Sequence, residues 1–467
     1  MENLTPIGKI IPKHSLDIKN SRLGIGFEKL DRDVFDPEKA YDKLSLVGVK
    51  WVRLQSGWQR TEREKGVYDF AWLDRVVDEL IAHGMRPWIC LCYGNELYTE
   101  SAKQVFGAVG CPPIFTDEEK TAWANYVRAT VRHFAGRVTH FEIWNEPDGK
   151  WCWKHGVSAE EYGRFARDTA RAIREASDDA FIIGGAVCMI WDLAYIDTAL
   201  SAGMAGNVDA ISFHEYTADE TALYAHVPAL EALIRLHDPK LRLIQGESGS
   251  QSRSDGCGAL AGGAWTPERQ AKQCLRHGVA DLSTDVLFSS YFSCMDMIEA
   301  LNGKVGDKTS YLDYGYFGIL GADFDENGFS SGEYSPKPSY YAYQNLCSVF
   351  AEDPEPCDLP VIRVTRPSAR LLGNDYTDKI SLHGFRKPNG SYALAYWAPT
   401  PLLTTTIETT VSFRAAGLPE KMSLVDLMDG TIYGVSGFIE KTGSGIIIKN
   451  IPAKDYPMLL TFGEFID

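Results

Sequence analysis

The sequence is 467 residues long, 45% hydrophobic, and carries a formal net charge of −16. A chain of this length exceeds what one small core needs, so two domains are expected. The excess of acidic residues argues against nucleic acid or an anionic membrane as a partner, because phosphate binding requires clustered Lys and Arg.

Residues 1–20 are polar and contain no apolar run of signal-peptide length. No apolar stretch in the sequence approaches the length of a transmembrane helix. The ten cysteines are irregularly spaced, which does not predict a disulfide framework in a chain of this size. Cys90 and Cys92 have no His or Cys cluster nearby and are expected to pack in the core rather than bind zinc. We therefore expect a cytoplasmic protein without a metal ion or other cofactor.

Short apolar strands alternate with amphipathic helices between residue 23 and residue 350, which is the pattern of repeated β/α units. The predicted strands cover residues 23–27, 49–54, 86–92, 138–145, 181–186, 210–214, 241–245 and 286–292. The predicted helices cover residues 36–46, 72–83, 117–134, 159–176, 193–202, 227–237, 267–282 and 339–350. Eight strand–helix pairs predict an α/β fold, a (β/α)8 TIM barrel with enlarged loops.

Two of the predicted strands end on a glutamate. The fourth runs into Asn145-Glu146-Pro147, and the seventh ends on Glu247. Because barrel enzymes build their active sites at the C-terminal ends of the strands, both carboxyls are expected on one rim. Paired carboxyls, one of which protonates the leaving oxygen, are what glycosidases use. The pattern predicts a glycoside hydrolase, and strand position alone allows either glutamate to be the acid.

Three more candidates lie at the same rim. Arg53, on the second strand, carries a permanent positive charge that can keep a nearby nucleophile ionised. The alternative for Arg53 is an internal ion pair, for example with Glu142. His214 and Tyr216, at the end of the sixth strand, share a face. Tyr216 could therefore donate to Glu247, and His214 could bind a sugar hydroxyl or the surroundings of the acid.

These motifs resemble those of clan A retaining glycoside hydrolases, and the most similar family is glycoside hydrolase family 39, the β-xylosidase and α-iduronidase group. The resemblance covers the barrel, from about residue 23 to residue 350. The motifs that carry it are WVRL at residues 51–54, WNEPD at 144–148, WCWK at 151–154, HEY at 214–216, GE at 246–247 and KPSYYA at 337–342.

The resemblance implies a role for each member of the carboxyl pair. Glu146 would be the acid and then the base, and Glu247 would be the nucleophile of a double displacement. Asn145 would contact the sugar 2-hydroxyl, an interaction that strengthens in the transition state. Retaining enzymes hold the two carboxyls roughly 5–5.5 Å apart, and that separation is expected here.

Three long loops are predicted on the rim, at residues 93–115, 248–265 and 293–336. Long loops at such a rim usually carry specificity. With Trp151, Trp153 and Trp265 expected to stack on sugar, these loops predict a pocket for one terminal sugar. The expected activity is exo-acting hydrolysis of a β-glycoside, such as a β-xyloside, in an oligosaccharide or small glycoside. An endo-acting β-glycanase on the same barrel is the alternative.

Beyond residue 350 the sequence changes character. After the linker-like residues 351–356, short strands are separated by Gly, Asn, Asp and Pro, which is typical of a β-sandwich. These strands are predicted at residues 380–382, 392–397, 404–413, 423–426, 431–435, 445–448 and 458–462. The expected domains are therefore the barrel at residues 23–350 and the sandwich at 351–467, with residues 1–22 adding a possible strand to the sandwich.

Two other function classes stay open. A non-catalytic carbohydrate-binding barrel would not need Glu146 and Glu247 together. A barrel enzyme of lyase or aldolase type would carry a Schiff-base lysine at a strand end or a phosphate-binding Gly loop near strands seven and eight. The seventh strand offers Glu247 at that place instead. A homo-oligomer is possible, and no nucleic acid or membrane partner is expected.

Overall fold

The computed structural model describes residues 4–365, 370–371, 373–376 and 379–466. Eight parallel strands close into a barrel in sequence order, and this confirms the predicted (β/α)8 fold. The first to eighth barrel strands are Leu23–Gly26, Trp51–Gln55, Arg86–Leu91, His140–Ile143, Phe181–Val187, Ala210–His214, Arg242–Ser248 and Val286–Tyr291.

Helices surround the barrel strands. The α-helices are Tyr41–Val47, Trp58–Thr61, Ala71–Ala82, Asp117–His133, Ala159–Ala176, Leu193–Ala199, Leu223–His237, Pro267–Leu282 and Pro338–Val349. The shorter turns of helix are Leu30–Arg32, Pro37–Lys39, Glu100–Ala102, Leu200–Met204, Glu220–Ala222, Lys308–Ser310 and Ser436–Phe438. No helix in the described ranges has both the length and the apolar character that crossing a bilayer requires.

Local sequence signals set several helix starts. Thr116 caps Asp117–His133: its hydroxyl accepts from the backbone N–H of Glu119, whose carboxylate accepts from the N–H of Thr116 at 2.9 Å. The helix predicted at residues 36–46 begins only at Tyr41, because Pro37–Lys39 forms a separate 3-10 turn. Each signal is local in the chain, so the helices flank the strands much as the sequence predicts.

Two antiparallel sheets form the predicted C-terminal β-sandwich, which the structure confirms. The ring centroids of Tyr396 and Phe413, one from each sheet, lie 5.2 Å apart. The first sheet has the order Thr5–Lys9, Thr431–Gly434, Met422–Asp426, Met458–Phe462, Tyr392–Trp397, Ser381–Arg386, Glu355–Pro356. The second has the order Val361–Thr365, Glu408–Ala415, Gly445–Lys454, Ile439–Thr442. Of the predicted terminal segments and sandwich, residues 1–3, 366–369, 372, 377–378 and 467 lie outside the described ranges.

Three short hairpins complete the strands. They are Met297–Ile298 with Tyr314–Gly315, Leu320–Phe324 with Ser330–Pro336, and Arg370–Leu371 with Asn374–Asp375. The first two belong to the long loop after the eighth barrel strand. This loop therefore has its own backbone hydrogen bonding, which gives the rim of the barrel a defined wall.

The helix Pro267–Leu282 lies between barrel and sandwich, and every residue from Gln270 to Leu282 is buried. Lys272 on this helix is fully buried, and its ammonium lies 2.8 Å from the Asp455 carboxylate of the sandwich. Arg276 donates to the carbonyl of Thr400 at 2.8 Å. Buried charges are tolerated when they are paired in this way, so the polar residues of this helix dock the sandwich on the barrel.

Candidate active site

Glu146 and Glu247 meet at the C-terminal rim of the barrel. Glu146 follows the fourth strand, and Glu247 lies near the end of the seventh. One oxygen of each carboxyl and one ring nitrogen of His214 all lie within 4.8 Å of one another. Retaining glycosidases hold their carboxyls roughly 5–5.5 Å apart, whereas inverting enzymes leave roughly 6.5–9.5 Å for a water. The separation fits double displacement.

Arg53 forms hydrogen bonds with several side chains of this site. Its Nε and Nη2 atoms donate to Glu142 Oε2 at 2.8 and 2.6 Å, and Nη2 also donates to Asn145 Oδ1 at 2.8 Å. Its Nη1 atom donates to Glu247 Oε1 and lies 3.5 Å from Glu28 Oε1. A guanidinium has five donors in a fixed plane, so one side chain makes both the internal ion pair and the contact to the nucleophile candidate.

Tyr216 and His214 bind the carboxyls from the sixth strand. Tyr216 donates its hydroxyl to Glu247 Oε2 at 2.7 Å. The Nδ1 atom of His214 lies 2.9 Å from Glu146 Oε1 and 3.7 Å from Glu247 Oε2. Glu215, between them, faces away and lies 3.4 Å from His226. The strand alternation therefore directs His214 and Tyr216 to the carboxyl pair and Glu215 away from it.

These contacts set the charge state of Glu247. Burial raises the pKa of Glu247, but the charges of His214 and Arg53 and the hydrogen bond from Tyr216 together bring it below its usual value. Burial lowers the pKa of His214, and the neighbouring Glu247 and Glu146 bring it above its usual value. Glu247 is thus an ionised carboxylate with one oxygen held by Arg53 and the other by Tyr216, as a nucleophile requires.

The loop that carries Glu146 has an unusual backbone. Trp144 and Glu146 have positive φ angles of 66° and 43°, in the left-handed region that costs roughly 1–3 kcal/mol for a non-glycine residue. The buried indole of Trp144 donates to the carbonyl of Cys152 at 2.8 Å and packs against Trp123 and Phe165. This packing holds the loop so that the Glu146 carboxyl points into the mouth of the barrel.

Of the three tryptophans predicted to stack on sugar, Trp151 alone lines the pocket, and its indole donates to Glu146 Oε2. The prediction is wrong for Trp153, which is fully buried against Trp144. It is also wrong for Trp265, which is 4% exposed and donates to the carbonyl of Leu260 at 2.9 Å. The backbone turns at Gly149, which accepts from the N–H of Trp153 at 2.9 Å. In such a turn, residues two apart do not share a face.

The carboxyl pair opens into a pocket of about 460 Å³, within the size range of small-molecule sites. The sequence analysis did not identify several of its charged and aromatic lining residues. These are Glu28, Lys29, Arg32, Glu299, Tyr93, Trp191, Phe292 and Phe317. Glu28, Lys29, Tyr93 and Phe292 lie within three residues of the end of a barrel strand, so the strand-end rule that found Glu146 could have found them. The others lie on loops or in the turn Leu30–Arg32, where the sequence has no period to follow.

Glu28 and Lys29 add two ionisable groups to the pocket. The ammonium of Lys29 lies 3.4 Å from Glu299 Oε2 and 3.1 Å from the carbonyl of Ile298. Glu28 is 1% exposed, and its Oε2 atom has no hydrogen-bond partner among the described residues. Burial, and then the charge of Glu247, raise the pKa of Glu28 to about 8. Glu28 is therefore a neutral acid at neutral pH, next to an ionised Glu247.

Replacing Glu28 by glutamine is expected to change how stability depends on pH. The unfolded chain releases the Glu28 proton near pH 4.5 and the folded chain near pH 8. Between these values the free energy of unfolding falls by about 1.4 kcal/mol per pH unit because of this group. Glutamine does not titrate, so this slope is absent from Glu28→Gln. The free energy of unfolding of Glu28→Gln, relative to that of the wild type, should therefore rise by about 3 kcal/mol between pH 5.5 and pH 7.5.

Urea denaturation of both proteins at the two pH values measures this gain. The exposed Glu175→Gln serves as the surface control and should keep a constant difference from the wild type. A constant difference for Glu28→Gln as well would mean that Glu28 is ionised in the folded protein.

Glu146, His214 and Glu247 are also the described residues whose donor atoms are close enough to hold a metal ion. Arg53 already brings a fixed positive charge into contact with Glu247. A cation at the same place would lie close to that guanidinium and to the imidazole of His214, and like charges at this distance repel. The donor set is therefore better matched to proton and glycosyl transfer than to metal binding.

Parts of this chain are similar in sequence to known proteins. The family model described as "Glycosyl hydrolases family 39" matches residues 43–234. A protein named "Beta-xylosidase" from Geobacillus stearothermophilus is 29% identical over 163 residues, 33% of this chain and 31% of its own length. Another "Beta-xylosidase", from Caldicellulosiruptor saccharolyticus, is 28% identical over 201 residues, 39% of each protein. The chain thus matches only 31% and 39% of the length of these two relatives.

Solved structures share the fold over nearly the whole chain. A family 39 glycoside hydrolase from the gut symbiont Bacteroides cellulosilyticus WH2 superposes with a TM-score of 0.67 at 17% identity, covering 95% of this chain and 81% of that one. A monomeric β-xylosidase from Caulobacter crescentus CB15 gives a TM-score of 0.60 at 17% identity, covering 98% and 99%. The family model and the relatives confirm the resemblance to glycoside hydrolase family 39, and the structures confirm the barrel with its β-sandwich.

Proposed function

We propose that this protein is a retaining glycoside hydrolase that removes a terminal β-linked sugar, with β-xylosides as the first substrates to test. The observation that carries the proposal is the pair Glu146 and Glu247, with carboxyl oxygens within 4.8 Å and one member held by Arg53 and Tyr216. The two relatives named as β-xylosidases support the choice of sugar.

The first chemical step transfers the sugar to the enzyme. A Glu247 oxygen forms a bond to the anomeric carbon while the bond to the leaving oxygen breaks, and that oxygen takes a proton from Glu146. Trp151 and His214 each contact one oxygen of Glu146 and so fix the orientation of this carboxyl. Because this carboxyl is already held in position, it needs less reorganisation to reach the transition state.

The second step releases the sugar. Glu146, now a carboxylate, takes a proton from a water molecule whose oxygen bonds to the anomeric carbon. The ester bond breaks, and its electron pair returns to Glu247, where Arg53 and Tyr216 stabilise the restored charge. Two inversions at one carbon give net retention of configuration.

The shape of the pocket supports exo-action. The loops after the seventh and eighth strands enclose it with Gly258, Leu260, Glu299, Leu301 and Phe317. We expect these walls to admit one terminal ring next to Glu247. The volume of about 460 Å³ is small for a cleft that binds a polymer along its length.

Endo-action is the second candidate, and one observation favours it. A cavity of about 500 Å³ shares Arg32 and Tyr93 with the pocket and extends along the loop after the third strand. A longer glycan chain could occupy both cavities if the shared wall moved.

Product analysis on xylo-oligosaccharides separates the two modes of action. We expect monosaccharide release from the non-reducing end from the earliest times, because the loops close the pocket beyond one sugar. Early accumulation of mid-sized oligosaccharides from xylan would mean an open cleft and an endo-acting enzyme. Binding of oligosaccharide without hydrolysis would favour a carbohydrate-binding barrel, and Glu146→Gln provides the inactive reference.

The cellular setting and assembly are part of the same proposal. All ten cysteines lie in the described ranges and none forms a disulfide there, which supports a reducing compartment such as the cytoplasm. A charge of −16 supports a small glycoside, rather than nucleic acid or an anionic membrane, as the partner. The domain boundaries at residues 22–23 and 350–351 and the possible homo-oligomer stay predictions, which limited proteolysis and light scattering check.

A further inference from the structure

Trp191 is the most exposed tryptophan among the described residues, at 60%. It lies on the loop after the fifth barrel strand and lines the same pocket as Glu146. Large aromatic side chains normally bury most of their surface, whereas the indole of Trp191 leaves an apolar aromatic face open in the wall of the pocket. The chemical steps assign no role to Trp191, so this face is available to a ligand.

Backbone hydrogen bonds hold the Trp191 loop on the same side of the pocket as Glu146. The Asp148 carboxylate, two residues after Glu146, accepts from the backbone N–H groups of Cys188 at 3.0 Å and Met189 at 2.7 Å. The N–H of Glu146 itself donates to the carbonyl of Ala186 at 2.9 Å. The Trp191 loop and the Glu146 loop are therefore one hydrogen-bonded unit on the Glu146 side of the pocket.

The side chain of Trp191 is also held in place. Its ring centroid lies 6.2 Å from that of His226, at an angle of 49°. His226 is in turn fixed by Glu215, at 3.4 Å. A supported indole loses less conformational entropy on binding a ligand than a freely rotating one, so this exposed face is prepared for contact.

We propose that Trp191, with Met189, forms the subsite for the leaving group, and that its occupant is a six-membered ring, a pyranose or an aryl group, bonded to the scissile oxygen. The proposal rests on the proposed function, because Glu146 must reach the oxygen that joins the leaving group to the sugar. A ring attached to that oxygen lies on the Glu146 side, where Trp191 offers an apolar aromatic face to the ring.

Kinetics of Trp191→Ala on two kinds of substrate test the subsite. For aryl β-glycosides and for xylobiose, kcat/KM should fall about tenfold or more, since the ring loses its apolar contact. For the matching β-glycosyl fluorides, whose leaving group has no ring, kcat/KM should stay within about twofold. Trp191→Phe should keep most of the activity on both kinds, because phenylalanine also offers an aromatic face.

Phe115→Ala is the matched control, because Phe115 is 55% exposed on another rim loop and does not line this pocket. It should leave both kinds of substrate unaffected. Equal losses on glycosides and fluorides for Trp191→Ala would overturn the subsite, and so would no loss on either. A change in oligomeric mass with unchanged kinetics would make Trp191 a protein contact and overturn it too.

The substrates should cover β-xylosyl, β-glucosyl and β-galactosyl aryl glycosides with their fluorides. If the wild-type enzyme hydrolyses none of them, the proposed function is wrong, and the proposed subsite is wrong as well. If the wild-type enzyme hydrolyses some of them and Trp191→Ala loses rate equally on glycoside and fluoride, only the proposed subsite is wrong.

Discussion

Glu247→Ala is expected to lower kcat on the order of 10⁴-fold or more, equivalent to about 5.5 kcal/mol of transition-state stabilisation. The reason is that no other carboxylate is held by both Arg53 and Tyr216 in the described structure. Steady-state hydrolysis of an aryl β-glycoside measures the loss. Glu175→Gln is the control, because this exposed glutamate lies on the helix Ala159–Ala176 and does not line the pocket, and it should keep most of the activity.

Azide should restore part of the activity of Glu247→Ala. The small anion can occupy the space of the lost carboxylate and attack the anomeric carbon, so a β-glycoside should give the α-glycosyl azide. A β-glycosyl azide from this variant, or the same increase in rate when azide is added to Glu175→Gln, would contradict the assignment of Glu247 as nucleophile.

Glu146→Ala is expected to lose activity in proportion to how poor the leaving group is. General acid catalysis contributes about 10²–10⁴-fold, so xylobiose and alkyl glycosides should lose rate in that range. A 2,4-dinitrophenyl glycoside needs no proton on its leaving oxygen and should lose less than about tenfold in the first step. Comparing kcat/KM across leaving groups makes the measurement.

Trp151→Phe, measured with the same series of leaving groups, checks the role of Glu146. Trp151→Phe removes the indole that donates to Glu146 Oε2 and leaves the carboxyl itself in place. It should cause a smaller loss with the same leaving-group trend. Equal losses for all leaving groups in Glu146→Ala would remove this residue from the role of acid.

The carboxyl pair could be predicted from the sequence because its position depends on strand order alone. Glu146 and Glu247 follow alternating apolar segments whose ends coincide with the rim of the barrel. The same reasoning identified His214 and Tyr216, since neighbours two apart on a strand share a face. Where a strand supplies the direction of a side chain, the sequence is sufficient.

The tryptophans show where that reasoning stops. Trp151 and Trp153 are two apart, yet a turn sends the first into the pocket and the second into the core. Trp265 supports its loop through the carbonyl of Leu260. Trp191, which does face the pocket, lies on a loop without a sequence period. Side-chain direction in a turn depends on tertiary contacts that composition and spacing do not encode.

Arg53 shows a second reason why prediction from sequence was incomplete. The sequence offers an ion pair with Glu142 and a contact to the nucleophile candidate as alternatives, and the structure has both contacts, to Glu142 and to Glu247. Glu28 lies just past the first barrel strand, but nothing in the sequence shows that it comes close to the same guanidinium. Networks of buried charge depend on distances between strands that are far apart in sequence, so their membership follows only from the folded barrel.

Covalent trapping tests the central claim, that Glu247 forms a glycosyl-enzyme intermediate. Wild-type enzyme treated with 2-deoxy-2-fluoro-β-xylosyl fluoride should gain the mass of one fluorosugar, because the 2-fluorine slows both steps and the reactive fluoride leaving group speeds only the first. Peptide mapping should find the label on Glu247. A label on Glu28, Glu146 or Glu299 would contradict the account, and so would an enzyme that hydrolyses the parent β-xyloside but never acquires the label.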